Sequence, residues 1–370
     1  MSRSDGGAMA RLIAGLLVLC VLAAAAGLGF ARSRIEEEFQ GFPGVEAVVT
    51  IPSGASVRES IQLLEQAGVL RNETLARLYW RFKLNDPVVK AGEYRFQGAA
   101  SMAEVLARIQ RGDVLTHRVT ILEGQTYEEI ARHLAAKGFG SYEVFLSEMG
   151  SPSRIVDLDG EATDLEGYLF PDTYAFARGT GESQIVDALV STFRERLIEA
   201  RALAAAMRSN TNQDAVAGSA PLELRDVVIL ASIVEKEALL DGERPIIAGV
   251  YANRLEIGMG LYADPTIIYA LKKLGTWDGN LRRRDLEMES PYNTYRSVGL
   301  PPGPICSPGL ASLAAALAPA DVPYLYFVSR NDGSHVFARS LAEHNRNVHE
   351  WQKLYWRKRR AETAEGEKLH

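Results

Sequence analysis

Cysteine is nearly missing: the 370-residue chain has two, Cys20 and Cys306. One sits in an apolar run and the other lies far along the chain, so no disulfide framework holds the fold. Leu19, just before Cys20, is too large for a lipoprotein cleavage site. HExxH, GxSxG, P-loop and CxxC patterns are also missing, which removes zincin, hydrolase-elbow, P-loop and thiol-redox chemistry. His344 and His349 are five apart, off the helical spacing for a zinc pair, and His335 stands alone in NDGSHVF. The acidic stretch DLDGEATDLEG, residues 157 to 167, lacks the third early ligand of a calcium loop and reads as an acidic turn. Neither a metal nor a cofactor is expected. Basic excess is absent as well: 41 Lys and Arg against 47 Asp and Glu leave a net charge of -6. No field of the whole protein gathers a polyanion, so nucleic acid is not an expected partner.

What is present is an ordinary globular balance, 47% hydrophobic and 24% charged, enough for about two domains with real cores. Ahead of them, residues 12–31 read LIAGLLVLCVLAAAAGLGFA without a charge, bounded by Arg11 and Arg32. That length crosses about 30 Å of hydrocarbon as a helix. A cleaved secretory signal is the competing reading, with Ala23 to Ala26 as small residues for a peptidase, but signal cores usually run about 7 to 15 residues. Arg3 and Arg11 before the span balance Arg32 and Arg34 after it, so basic charge barely decides orientation, and the short first segment favours a cytoplasmic N-terminus.

An internal repeat follows. VEAVVTIPSGASVRESIQLLEQAGVL and RVTILEGQTYEEIARHLAAKGF superpose Ile51, Gly54, Ser56, Glu59, Leu64 and Gly68 on Ile121, Gly124, Thr126, Glu129, Leu134 and Gly138. Each copy reads as a strand, a glycine turn, a capping box and an amphipathic helix stopped by glycine. Ser101 and Glu104 form a third box. Such βα units resemble LysM-type glycan-binding modules. Further on, Ile185, Val186, Leu189, Val190, Phe193 and Leu197 predict a long helix over 182–207, followed by a boundary or flexible loop at 209–221. The terminal WRKRRAETAEGEKLH reads as a disordered tail.

The stretch LELRDVVILASIVEKEA writes a helix buried nearly all round and then ends it on Glu235, Lys236 and Glu237. Glu237 shares a side with Leu230, Ile233 and Val234, so its carboxyl points into or beside the core. Desolvation and the carbonyls of a helix C-terminus would both hold it neutral near pH 7, as protonation of a leaving group requires. Glu235 lies about 200° away round the axis and cannot face it. The loop SPYNTYRSVGLPPGPICSPG offers Tyr292 and Tyr295 as flat faces for sugar rings and Asn293 as donor and acceptor, stiffened by Pro301, Pro302, Pro304 and Pro308. In ADPTIIYAL, Asp264 is placed to cap a helix with Pro265 at its first position.

Together ASIVEKE, ADPTIIYAL, YNTYRSVGLPPGPICSPG, LEGYLFPDTY and YLYFVSRNDGSHVFARSLAEHN resemble the YceG-like family of membrane-anchored endolytic murein transglycosylases. The resemblance implies cleavage of peptidoglycan between N-acetylmuramic acid and N-acetylglucosamine, with an internal attack that leaves a 1,6-anhydro end. It implies Glu237 as the catalytic acid and then base, and Tyr292, Asn293, Tyr295, Asp264 and Thr266 as substrate-binding residues. Ala238 stands where many related enzymes carry Ser or Thr, and Cys306 is given no function. The implied fold class is α+β: a cytoplasmic start at 1–11, a transmembrane anchor at 12–31 and a linker at 32–46. A LysM-like glycan-binding domain at 47–150, an α+β catalytic domain at 151–353 and a charged tail at 354–370 complete it. The implied setting is the inner membrane, single-pass, with the bulk in the periplasm, peptidoglycan strands as substrate and cell-wall synthases as partners. Two rivals stand beside it: a catalytically silent glycan-binding scaffold, and a water-using muramidase with Glu235 or Asp264 as its second carboxylate.

Overall fold

The computed structural model describes residues 5–210, 222–355 and 357. The expected loop at 209–221 and the charged tail fall almost wholly outside these residues. The chain forms two compact units, one of residues 1–118 with 175–179 and one of residues 119–174 with 180–370. This division falls at 118/119, whereas 150 was the expected boundary, and the two repeat copies belong to different units.

The first unit begins with α1 (Asp5–Glu36), whose stretch Arg11–Glu36 is long and apolar enough to cross a membrane, its apolar window unburied. The helix outruns the expected anchor and takes up the start of the expected linker, because Ile35 packs against the unit's core. After β1 (Glu38–Phe39) and β2 (Glu46–Ile51) come α2 (Val57–Gln66) and α3 (Glu73–Lys83), then β3 (Gly92–Gln97), β4 (Ala100–Ser101), α4 (Met102–Arg111) and β5 (Thr116–Thr120). β2 and β3 pair antiparallel from Glu46↔Gln97 to Ile51↔Gly92, closing a βααβ unit. Every second residue of β3 is buried, Gly92, Tyr94 and Phe96, as a half-covered strand demands. Those rings meet Leu64, Trp80, Leu106 and Ile109 in one core.

Both β5 and its partner β6 (Thr173–Ala177) run across the division, with the last three residues of β6 in the first unit. In the second unit, α5 (Tyr127–Ala136) and α6 (Tyr142–Met149) pack together, and α7 (Glu182–Asn210) carries the expected apolar stripe. Then follow α8 (Leu224–Glu237), α9 (Arg244–Glu256), α10 (Asp264–Lys273), α11 (Leu310–Leu317), the hairpin β7 (Tyr326–Ser329) and β8 (His335–Ala338), and α12 (Leu341–Val348). All eight residues from Val227 to Val234 are buried, because α9, α10 and α11 all pack on α8. A helix covered on every side can be apolar all round.

The three capping boxes form as written, at Ser56/Glu59, Ser101/Glu104 and Thr126/Glu129. The repeat glycines take the left-handed conformation their turns need, with φ of 79° at Gly54, 76° at Gly124, 70° at Gly68 and 75° at Gly138. Gly167 of LEGYLFPDTY is fixed for a second reason. At φ +85° it packs so closely that a Cβ would stand 2.6 Å from Pro304 and 2.8 Å from Val228 of α8.

Candidate active site

The three charged residues that end α8 go three separate ways. Glu235, its side chain only 6% exposed, accepts hydrogen bonds from the Gly309 backbone at 3.0 Å and the Ser312 hydroxyl at 2.7 Å, and pairs with Arg244 at 3.3 Å. Lys236 is exposed and donates to the Gly124 carbonyl at 3.2 Å. Glu237 accepts the Tyr251 hydroxyl at 3.1 Å; protein encloses its carboxyl while part of the residue still reaches solvent.

Burial pushes the Glu237 carboxyl up from 4.5 to about 7, the negative charge of Asp264 adds to the rise, and Tyr251 and Arg254 oppose it. Desolvation carries the effect, as the sequence suggests, and the charge of Asp264 adds a contribution that helical spacing alone does not reveal. Such a group is divided between acid and base forms near neutrality, the condition for doing both jobs in turn.

Tyr251 and Arg254 stand three apart on α9 and so share a face. Arg254 is 6% exposed and donates through Nε to the Leu325 carbonyl at 2.7 Å and through Nη1 to the Leu261 carbonyl. Its guanidinium lies 5.7 Å from the ring centre of Tyr251, 5.8 Å from that of Tyr262 and 5.7 Å from that of Tyr326. A fixed cation in an aromatic cage thus stands beside the acid. Sequence reading missed this pair. Their only signal was the spacing of a tyrosine and an arginine three apart in VYANRLE.

Asp264 is the first residue of α10, with Ala263 at the cap and Pro265 one place further in than expected. It caps nothing. Its carboxylate accepts the Tyr295 hydroxyl at 2.6 Å instead, so one acid of the site is oriented by one ring of the proline-rich loop. Burial first, then that bond to Asp264, pushes the Tyr295 hydroxyl up beyond its usual range.

Thr266, Asn293 and Tyr292, expected at the substrate, are each engaged by other groups of the protein. Thr266 is fully buried, donating to the Ala263 carbonyl at 2.8 Å and meeting Thr294 at 3.0 Å. Asn293 is equally buried; its amide donates to the Leu286 and Met288 carbonyls at 3.0 and 2.8 Å and its oxygen accepts the Tyr295 backbone at 2.9 Å. The polar capacity that suggested a sugar contact is used to lock the loop. Tyr292 packs on Tyr269, ring centres 4.9 Å apart. Tyr269 in turn donates to Glu166 at 3.2 Å, a second acid held above the carboxylate range by burial that sequence reading did not single out. Cys306 is buried with its thiol toward the Ser232 carbonyl at 3.3 Å, and Asp159 of the acidic turn pairs with Arg225 at 2.5 Å. Glu235 cannot serve as a second catalytic carboxylate, since Arg244, Gly309 and Ser312 occupy it.

An enclosed carboxyl raised toward neutrality, with a tyrosine-bound aspartate and a caged arginine beside it, suits an α+β enzyme that moves protons. The chain belongs to the YceG-like family, whose model matches residues 49–350. It is 29% identical over 313 residues to the endolytic murein transglycosylase of Bacillus subtilis (strain 168), covering 80% of this chain and 82% of that one. With the endolytic murein transglycosylase of Streptococcus pneumoniae serotype 2 (strain D39 / NCTC 7466) it shares 31% identity over 334 residues, 82% of this chain but only 58% of that longer relative. The crystal structure of a YceG-like protein from Listeria monocytogenes matches with a TM-score of 0.53 and 30% identity, covering 81% of this chain and 98% of that one.

Proposed function

We propose that the chain is a lytic transglycosylase of peptidoglycan that cuts glycan strands internally between N-acetylmuramic acid and N-acetylglucosamine. In its neutral form Glu237 gives its proton to the glycosidic oxygen as the C1–O bond breaks. The resulting carboxylate then takes the proton of the muramic C6 hydroxyl while that oxygen bonds to C1, which closes the 1,6-anhydro ring and restores the acid. No water enters, and an attached nucleophile spares the enzyme the second carboxylate that hydrolytic glycosidases use. Positive charge gathering on the sugar is favoured by the nearby Asp264, which Tyr295 orients.

The observation that carries this reading is Glu237, its carboxyl enclosed and raised to about 7 while part of the residue still reaches solvent. Names of relatives at 29% and 31% identity support the same substrate. The α1 span supports a single-pass anchor in the inner membrane with both units in the periplasm, where cutting nascent strands would end their growth close to the synthases that make them. The βααβ unit of β2, α2, α3 and β3 supports a LysM-like glycan-holding role. The test is digestion of purified glycan by the full-length chain, wild type beside Glu237→Gln, with mass analysis of the ends. Anhydro ends, lighter by one water than reducing ends and lost in the variant, are expected. Reducing ends would make the protein a muramidase, and no cleavage by wild type would make it a silent scaffold.

A further inference from the structure

Five non-glycine residues among those described have positive φ, and four of them are Asn or Asp, which tolerate it. The fifth is Tyr262, at φ +49°. A bulky aromatic residue is held in that conformation only when its surroundings dictate it. Here they do. The Tyr262 backbone N–H donates to the Thr294 carbonyl at 3.2 Å and Ala263 N–H to the Thr294 hydroxyl at 3.0 Å. The Leu261 carbonyl is taken by Arg254, and Gly260 pairs with Val298 across a β-bridge.

Filling the core is not what this strain achieves, because Tyr262 is 44% exposed. Its ring stands edge-on to Tyr295, centres 5.5 Å apart at 64°, and the Arg254 guanidinium lies 5.8 Å from its centre. Tyr295 holds Asp264. The ring therefore adjoins the group of residues around Glu237 and remains open to a ligand. A rigid aromatic face with a hydroxyl at its tip matches a hexopyranose ring, whose axial C–H groups make an apolar face rimmed by hydroxyls.

We propose that Tyr262 is a stacking platform for one sugar ring of the glycan strand, displayed by its left-handed backbone so that the strand is seated against Glu237. This rests on the glycan-cleaving reading of that site. Tyr262 touches substrate but moves no proton, so its loss is expected in KM more than in kcat.

The test uses full-length protein in detergent carrying Glu237→Gln, with N-acetylglucosamine tetramer as the probe and calorimetric titration as the readout. Tyr262→Phe should bind within twofold of its parent and Tyr262→Gly should bind on the order of tenfold more weakly. Glycine adopts positive φ without a Cβ, so Tyr262→Gly should melt at the parent temperature or above it. That combination, firmer fold with poorer binding, is what a purely structural tyrosine would not give. Unchanged binding by Tyr262→Gly, a fall of its melting temperature by several degrees, or no binding of the tetramer to the parent would each overturn the proposal. Binding needs no turnover, so residual cleavage by Glu237→Gln would sink the acid–base reading while the platform is still judged on affinity.

Discussion

Replacing Glu237 by Gln should abolish activity and stabilise the protein in the same stroke. The folded carboxyl ionises near 7 against an ordinary 4.5. Between those values the folded chain keeps a proton that the unfolded chain has lost, so stability falls as pH rises through that window and the loss is complete above about 7. At about 1.4 kcal/mol for each tenfold, the interval amounts to about 3 kcal/mol, an upper figure because the residue retains some solvent contact. Gln keeps an oxygen for the Tyr251 hydroxyl and has no charge to bury, so it escapes that cost. Denaturant unfolding of the full-length chain in detergent should show wild type and variant level below pH 4.5 and the variant ahead by up to about 3 kcal/mol at pH 8. Turnover should drop by about a thousandfold or more, since one group serves as both acid and base. A variant no more stable than wild type at pH 8 would mean that Glu237 is ordinarily solvated, and the chemical argument would fail with it.

Two further substitutions should move the pH–rate profile in opposite directions. Asp264→Asn removes a charge that raises the Glu237 value, so the alkaline loss of activity should set in at lower pH; Tyr251→Phe removes a bond that lowers it, so the loss should set in at higher pH. Arg244→Met strands the Glu235 carboxylate in a pocket where both side chains are under 10% exposed, and should cost about 3–5 kcal/mol in unfolding experiments. Asn293→Ala gives up the three hydrogen bonds of a buried side chain; a loss of about 2–3 kcal/mol together with lowered kcat would mark it as the brace of the Tyr295 loop.

Local patterns transferred well from sequence to structure. Capping boxes, turn glycines and the buried α8 are set by neighbours a few residues apart, and each was legible. The direction of Glu237 was legible too, because helical spacing fixes which face a residue shares. What could not be read were partners distant in sequence. Asp264 looked like a helix cap because caps are local, yet its partner is Tyr295 in another loop. Asn293 looked like a ligand group because its amide is versatile, and only the fold shows that Leu286, Met288 and Tyr295 use it up. Arg254 carried almost no signal, since an arginine beside Asn253 and close to Glu256 reads as part of a solvated helix face. Ala238, which raised the question of a missing hydroxyl, is buried, and the hydroxyl that reaches Glu237 comes from Tyr251.

The last turn of α1 has a mechanical consequence for the fold it leads into. Ile35 anchors that turn in the first unit's core, and Arg71 ties down Glu37 just beyond it. If the span sits in a bilayer, nothing slack joins the lipid to the folded protein at this point. The helix then behaves as a mast and not a leash: its tilt is transmitted directly to the first unit, and the height of that unit above the lipid varies little.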